Sequence, residues 1–159
     1  MKRIAILLSL ILLVLCAMCA CDPKAKKEEA QGDDGQDEEV TKMYITIYGN
    51  KLEVTPENNS SVKALLELLE QGDITYTADD YGGFEKVGFL GHDLPHSDKK
   101  ITTSAGDVIL YLGNQVCLMV GSNTWSYTRL GRINGYSVSQ LRELVGVGKG
   151  SAQVTISLN

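Results

Sequence analysis

His92 and His96 stand four residues apart, with Asp93 between them. On a helix that spacing brings both imidazoles to one face, where they could grip a zinc ion. Gly91 and Pro95 interrupt the stretch, and a proline removes a helical N–H, so the sequence predicts a solvated loop and no metal. Cys117 is the only cysteine beyond residue 21. It lies in the apolar run Gln115–Val120, which predicts a small buried hydrophobe rather than a nucleophile. The tract Val145-Gly146-Val147-Gly148-Lys149-Gly150 is glycine-rich, but it falls between a predicted helix and the last predicted strand. A phosphate loop needs the opposite context, a strand leading into a helix, so a turn is expected here. No nucleophile-elbow motif of the Gly-x-Ser-x-Gly type occurs, and no cofactor is expected. The remaining candidates share one predicted strand. Alternation along Trp125 to Ile133 puts Trp125, Tyr127, Arg129 and Ile133 on one face and Thr128, Leu130 and Arg132 on the other. An arginine near an aromatic patch could receive a peptide or a carboxylate ligand, with Tyr127 and Arg129 as the first candidates and Trp125 behind them. The default alternative is a plain sheet wall with its charges in solvent.

Those residues belong to the last three quarters of a chain of 159 residues with a formal net charge of −5. Phosphate backbones are bound by clustered basic surface. The densest lysines, Lys24, Lys26 and Lys27, sit among acids, so nucleic acid is not an expected partner. The chain is long enough for one folded domain and too short for two once its apolar start and the polar stretch after it are set aside.

Lys2 and Arg3 precede a run from Ile4 to Val14 that is apolar except for Ser9. A positive start and a short apolar stretch make a secretory signal. The run ends Met18-Cys19-Ala20-Cys21, which resembles the lipobox of bacterial lipoproteins, with small Ala20 before the modified Cys21. Met18 and Cys19 depart from the usual residues of that motif. The resemblance implies cleavage before Cys21 and lipid on its sulfur, anchoring the chain at the outer face of a membrane. An uncleaved anchor helix and ordinary secretion are the competing readings. Residues 21–42 are acids, lysines, Gly and Gln, with Val40 the sole sizeable apolar side chain. Such a segment buries too little to order itself and reads as a tether spanning about 25 Å. Its acids lack the spacing of a calcium loop. The expected organisation is a leader over 1–20, a tether over 21–42 and a domain over 43–159.

Within the domain, Met43 to Tyr48 and Lys51 to Thr55 read as strands around a Gly49-Asn50 turn. A helix follows, capped at Asn59 or Ser60, with Val62, Leu65, Leu66 and Leu69 on one face and Gly72 closing it. Ile74–Ala78 and Glu85–Leu90 are predicted strands separated by a turn over Asp79–Gly83. Gly91 to Ile101 reads as a long connection. Asp107–Leu112 and Gln115–Val120 flank Gly113-Asn114 and are apolar on consecutive residues, as strands buried on both faces are. Trp125–Ile133 is a strand, Ser137 and Gln140 form a capping box for a short helix ending at Gly146, and Ala152–Leu158 is the last strand. Many antiparallel strands and two helices in so short a chain point to a closed or nearly closed barrel, which leaves no exposed edge.

That order resembles the bacterial cyclophilin-like domain family over about Tyr44 to Leu158. The residues that carry the likeness are Gly106-Asp107-Val108-Ile109-Leu110-Tyr111 and Trp125 through Ile133. Within the second stretch, Leu130-Gly131-Arg132-Ile133 parallels the Phe-Gly-Lys-Val strand end of true cyclophilins, and a short helix and a last strand follow in both. The resemblance implies a mainly β fold, a cyclophilin-like closed antiparallel β-barrel of eight strands with two capping helices. It also raises peptidyl-prolyl isomerase activity, which in cyclophilins depends on an arginine on the third strand steadying a twisted amide. The arginines here are Arg3, Arg129, Arg132 and Arg142. None falls between the first helix and Gly106, and the family's Phe-x-x-x-x-Gln-Gly-Gly-Asp signature is missing. Loss of that arginine removes the main electrostatic stabilisation. The sequence therefore predicts a membrane-anchored, extracytoplasmic module that binds a peptide or small ligand, with a degenerate prolyl isomerase or chaperone as the alternative.

Overall fold

A computed structural model of the chain describes residues 42–159. The leader, Cys21 and the tether up to residue 41 lie outside the described residues. The first hairpin pairs β1 (Met43–Ile47) with β2 (Asn50–Pro56). Ile47 faces Asn50, so the turn residues are Tyr48 and Gly49, with φ of 49° and 76°. Two left-handed residues in succession match the twist of a tight hairpin, and the turn falls one residue earlier than Gly49-Asn50.

Helix α1 (Ser60–Leu69) is capped by Asn59, whose side chain accepts the Val62 N–H at 3.0 Å. It buries Val62, Leu65 and Leu69. It ends at Glu70, still right-handed, rather than at Gly72. The strands that follow are β3 (Ile74–Tyr81), β4 (Glu85–Phe89), β5 (Lys99–Thr102), β6 (Asp107–Tyr111), β7 (Gln115–Met119) and β8 (Thr124–Ile133). Helix α2 (Val138–Val145) carries the reciprocal Ser137–Gln140 capping box and ends on left-handed Gly146, and β9 (Ala152–Ser157) closes the fold. Strand β3 runs three residues further than the predicted Ile74–Ala78 strand, taking in Asp79 and Asp80, because both acids find partners along it. The predicted long connection also holds β5, a short strand with one half-buried apolar residue, Ile101, and too little pattern to be read from sequence.

The strands run β2-β1-β9-β3-β4-β7-β6-β8, every neighbour antiparallel, and β8 pairs back onto β2. Eight strands thus close into a barrel, and β5 adds a ninth by pairing with the first half of β8. The helices sit at opposite ends. Asn50, at the start of β2, donates to the Leu144 carbonyl of α2 at 3.2 Å, while Asn59, just beyond the end of β2, donates to the Arg129 carbonyl from the start of α1 at 2.8 Å.

Strands β6 and β7 are buried on both faces. Val108, Leu110, Val116 and Leu118 join the barrel interior with both helices, whereas Ile109, Cys117 and Met119 join Tyr127 in a second cluster on the outer side. Phe84, Val87, Tyr111 and Ile101 of β5 pack on that outer cluster. A bulge then reorders β8. Ile109 faces Arg129 but Val108 faces Gly131, which leaves Leu130 as an extra residue. Beyond it the alternation inverts. Leu130 and Ile133 both enter the barrel core, and Arg129 and Arg132 share the outer face. Simple alternation had put Ile133 with Trp125 and Arg132 with Leu130.

Candidate functional site

The outer face of β4, β7, β6 and β8 forms the floor of a cavity of about 680 Å³. Register alone assembles that floor. Glu85 and Val87 of β4 face Met119 and Cys117 of β7, Gln115 of β7 faces Tyr111 of β6, and Ile109 of β6 faces Cys117. Alternation therefore turns Glu85, Val87, Tyr111, Gln115, Cys117 and Tyr127 outward together. The β3–β4 turn adds Tyr81 and Phe84 on one side, and Asn123 and Trp125 complete the other.

Aromatic rings make most of the wall. Tyr111 and Tyr127 meet edge to face with centroids 5.8 Å apart, and Tyr81 and Phe84 do the same at 6.0 Å. Both are the arrangements that ring quadrupoles favour. Tyr81 and Trp125 are 61% and 57% exposed, so they form the rim, while Tyr127 is buried below. Asn123 Nδ2 donates to the Tyr127 hydroxyl at 2.8 Å, which leaves the phenolic proton free to point elsewhere. Gly121 is tightly packed against the Cβ of Phe84, so a side chain there would push that ring.

Glu85 is the carboxyl group of this site. It is only 5% exposed, and its Oε2 is buried without a hydrogen-bond partner. Burial pushes its carboxyl above the ordinary range, and hydrogen bonding with the Cys117 thiol offsets part of that rise. Burial also pushes the Cys117 thiol far up, and the neighbouring Glu85 adds to it. At 1% exposure Cys117 is a packed, protonated side chain. Tyr127 is raised as well, mainly by burial, against the hydrogen bond from Asn123.

Of the three residues singled out on the strand, the structure brings Trp125 and Tyr127 into the cavity lining, and Arg129 lies outside it. Arg129 Nη2 instead sits 3.2 Å from Oδ2 of Asp107, and Arg132 holds the other oxygen of the same carboxylate. Asp107 is 1% exposed, so both guanidinium groups are occupied with a buried charge. His92 and His96 lie in a non-helical, exposed stretch, with His96 Nδ1 3.0 Å from Asp98. Among the described residues no group of three or more His, Cys, Asp or Glu is placed to hold a metal ion.

The glycine-rich tract after α2 is a turn wrapped around an internal anion. Asp80 Oδ2 accepts from the backbone N–H of Gly148 at 3.0 Å and of Gly150 at 2.8 Å. Lys86, fully buried, donates to Asp80 Oδ1 at 2.8 Å and to the Gly150 carbonyl. Sequence reasoning missed Glu85 and Lys86. The signal was available in β7: a strand apolar on both faces requires that whatever pairs beside it be covered on both faces too.

The chain belongs to the cyclophilin-like family, whose model matches residues 45–157. Among solved structures it is similar to the solution structure of the hypothetical protein AF2241 from Archaeoglobus fulgidus, at a TM-score of 0.57 and 17% identity, covering 79% of this chain and 99% of that one. It is also similar to McbB in complex with tryptophan, at a TM-score of 0.52 and 14% identity, covering 72% of this chain and 44% of that longer one. At these identities the likeness concerns the fold alone. No curated protein matches the sequence.

Proposed function

We propose that this protein is an extracytoplasmic, lipid-anchored binding module whose ligand site is the aromatic cavity on the outer wall of the barrel. The cavity itself carries the reading. Its volume of about 680 Å³ falls within the range of small-molecule sites, and it joins an apolar wall to a few convergent polar groups, as such sites do. Prolyl isomerisation is the weaker alternative. The residues lining the cavity include no arginine, lysine or histidine, so no cationic group there would steady the developing charge of a twisted amide. The membrane half of the proposal rests on the leader and Cys21, with hydrocarbon burial at about 0.8 kcal/mol per CH₂ as its driving force.

Trp125 is the only tryptophan of the chain and stands at the rim, so a ligand entering the cavity changes its emission. Titration with cyclohexanol, which does not absorb where tryptophan is excited, should give a saturable change. Val87→Phe, which fills the floor without altering Trp125, should abolish it. A linear response, or one that survives the filled cavity, would remove the site. For the anchor, mass spectrometry of the mature protein should find Cys21 at the N-terminus carrying acyl mass, and Cys21→Ala should move the protein out of the membrane fraction. An intact leader would end that half of the proposal.

A further inference from the structure

We infer that the ligand of this cavity is an organic ammonium ion with an apolar body, received by the Glu85 carboxylate at the floor and by the aromatic faces around it. The inference rests on the binding role just proposed and names its ligand class.

Three observations converge on a cation. First, Glu85 is the only acidic residue lining the cavity, and no basic residue lines it. A bound cation meets one opposite charge and no like one. Second, Oε2 of Glu85 is buried without a partner. An unpaired buried polar atom costs about 1–3 kcal/mol. In its ionised form the group only accepts, so a ligand that pairs with the carboxylate brings N–H donors. Third, the wall holds Tyr81, Phe84, Tyr111, Trp125 and Tyr127. Ring faces carry partial negative charge and attract ammonium groups, most strongly where water is excluded. An anionic ligand would meet the same carboxylate and the same ring faces with the opposite sign. A neutral alcohol would satisfy Oε2 and pack against the rings, but it brings no positive charge to their faces.

The proton balance follows from the same geometry. Burial favours the protonated Glu85 in the empty cavity. An ammonium ion favours the carboxylate, so its arrival expels the Glu85 proton to solvent, and the ion and the carboxylate remain as a pair. The other titratable groups on this face are the phenols of Tyr81, Tyr111 and Tyr127 and the Cys117 thiol. Burial pushes the Cys117 thiol and the Tyr127 phenol up, further from the window of the test. Of the charged groups on adjoining elements, Lys99 of β5 pairs opposite Tyr127 and is exposed, and Arg142 of α2 is held on the Gly83 carbonyl at 2.8 Å. Asp79 and Asp80 of β3 are engaged with Ser151 and with Lys86, respectively.

The test titrates the full-length protein with three probes of one shape, cyclohexylammonium, cyclohexanol and cyclohexanecarboxylate, reading Trp125 emission near neutral pH. The ammonium ion is expected to bind about tenfold tighter than the alcohol, or more, and the carboxylate weakest. Glu85→Gln should lower the ammonium-to-alcohol ratio severalfold, leaving only the preference that the ring faces supply. Should that variant not fold, calorimetry of the wild type in two buffers of different ionisation enthalpy decides the matter. At and just above pH 4.5, where burial keeps the proton on Glu85 in the empty cavity, ammonium binding should release a proton, and alcohol binding should not. If the alcohol binds as tightly as the ammonium ion, or no proton is released, the cation assignment is overturned and the cavity remains a binding site. If none of the three probes changes Trp125 emission, the binding role falls, and the ligand class falls with it.

Discussion

At the scale of single residues, two carboxyls push stability in opposite directions with pH. Burial holds Glu85 protonated to a higher pH in the folded chain than its ordinary 4.5. The folded state then binds more protons than the unfolded state, so this contribution is complete below pH 4.5 and is lost as pH rises through the folded value. Asp80 is the reverse. Its own desolvation opposes ionisation, but the Lys86 hydrogen bond, the Gly150 and Gly148 N–H groups and the Lys86 charge together hold it below its ordinary 3.8. Its contribution is present above that value and is lost as pH falls through the lowered one. Melting temperature followed from pH 3 to pH 8 should separate the two. Glu85→Gln removes the loss on the neutral side, so the variant gains on the wild type as pH rises from 4.5. A difference between them that does not change with pH would contradict a buried, proton-holding Glu85.

At the scale of elements, Lys86 and Asp80 tie β4 and β3 to the glycine turn that precedes β9. The two ends of this tie are unequal. Lys86 is fully buried, whereas the Asp80 side chain is 23% exposed and keeps two backbone donors. Asp80→Asn leaves a buried ammonium without its counter-charge and is expected to cost about 3–5 kcal/mol in urea unfolding. Lys86→Met should cost clearly less, because Asp80 retains its N–H partners and some solvent. Equal losses would mean that the pair, not the buried lysine, sets the energy. This tie also marks where reading the sequence stops. The strand and helix patterns, both capping residues and the doubly buried β6–β7 hairpin are visible in the chain because each depends on neighbours in sequence. The destination of Asp80 depends on residues about seventy positions later, and β5 exists only because β8 offers it an edge. The bulge at Leu130 likewise has no local signal. It turns Arg132 to the outer face beside Arg129, where both hold Asp107. Trp125, Tyr127 and Arg129 precede the bulge and keep the alternation the sequence predicts, but the buried Asp107 carboxylate draws the Arg129 guanidinium away from the cavity.

At the scale of the whole molecule, closure and ligand binding occupy different arcs of the barrel. The sheet closes on itself at the β2–β8 seam, where Val54, Thr55 and Pro56 meet Ile133, Arg132 and Gly131. The cavity lies on β4, β7, β6 and the first half of β8. Gly131 permits the seam to close. A Cβ there would stand 2.6 Å from the Thr55 carbonyl oxygen and 2.8 Å from Val54 Cγ1, and the backbone atom has no rotamer by which to yield. Gly131→Ala is therefore expected to cost about 1–3 kcal/mol, as overpacking does. The loss should be local in hydrogen exchange, with faster exchange for amides of β2 and the second half of β8. Protection at β4 and β7 should fall only by the global change in stability. Cyclohexanol should still change Trp125 emission in the folded fraction of this variant, because the seam contributes no residue to the cavity. If exchange instead rose equally in all strands, the barrel would open as one unit and the seam would have no separate stability. If the variant stayed folded but lost binding, the cavity would depend on closure of the whole wall rather than on the face that lines it.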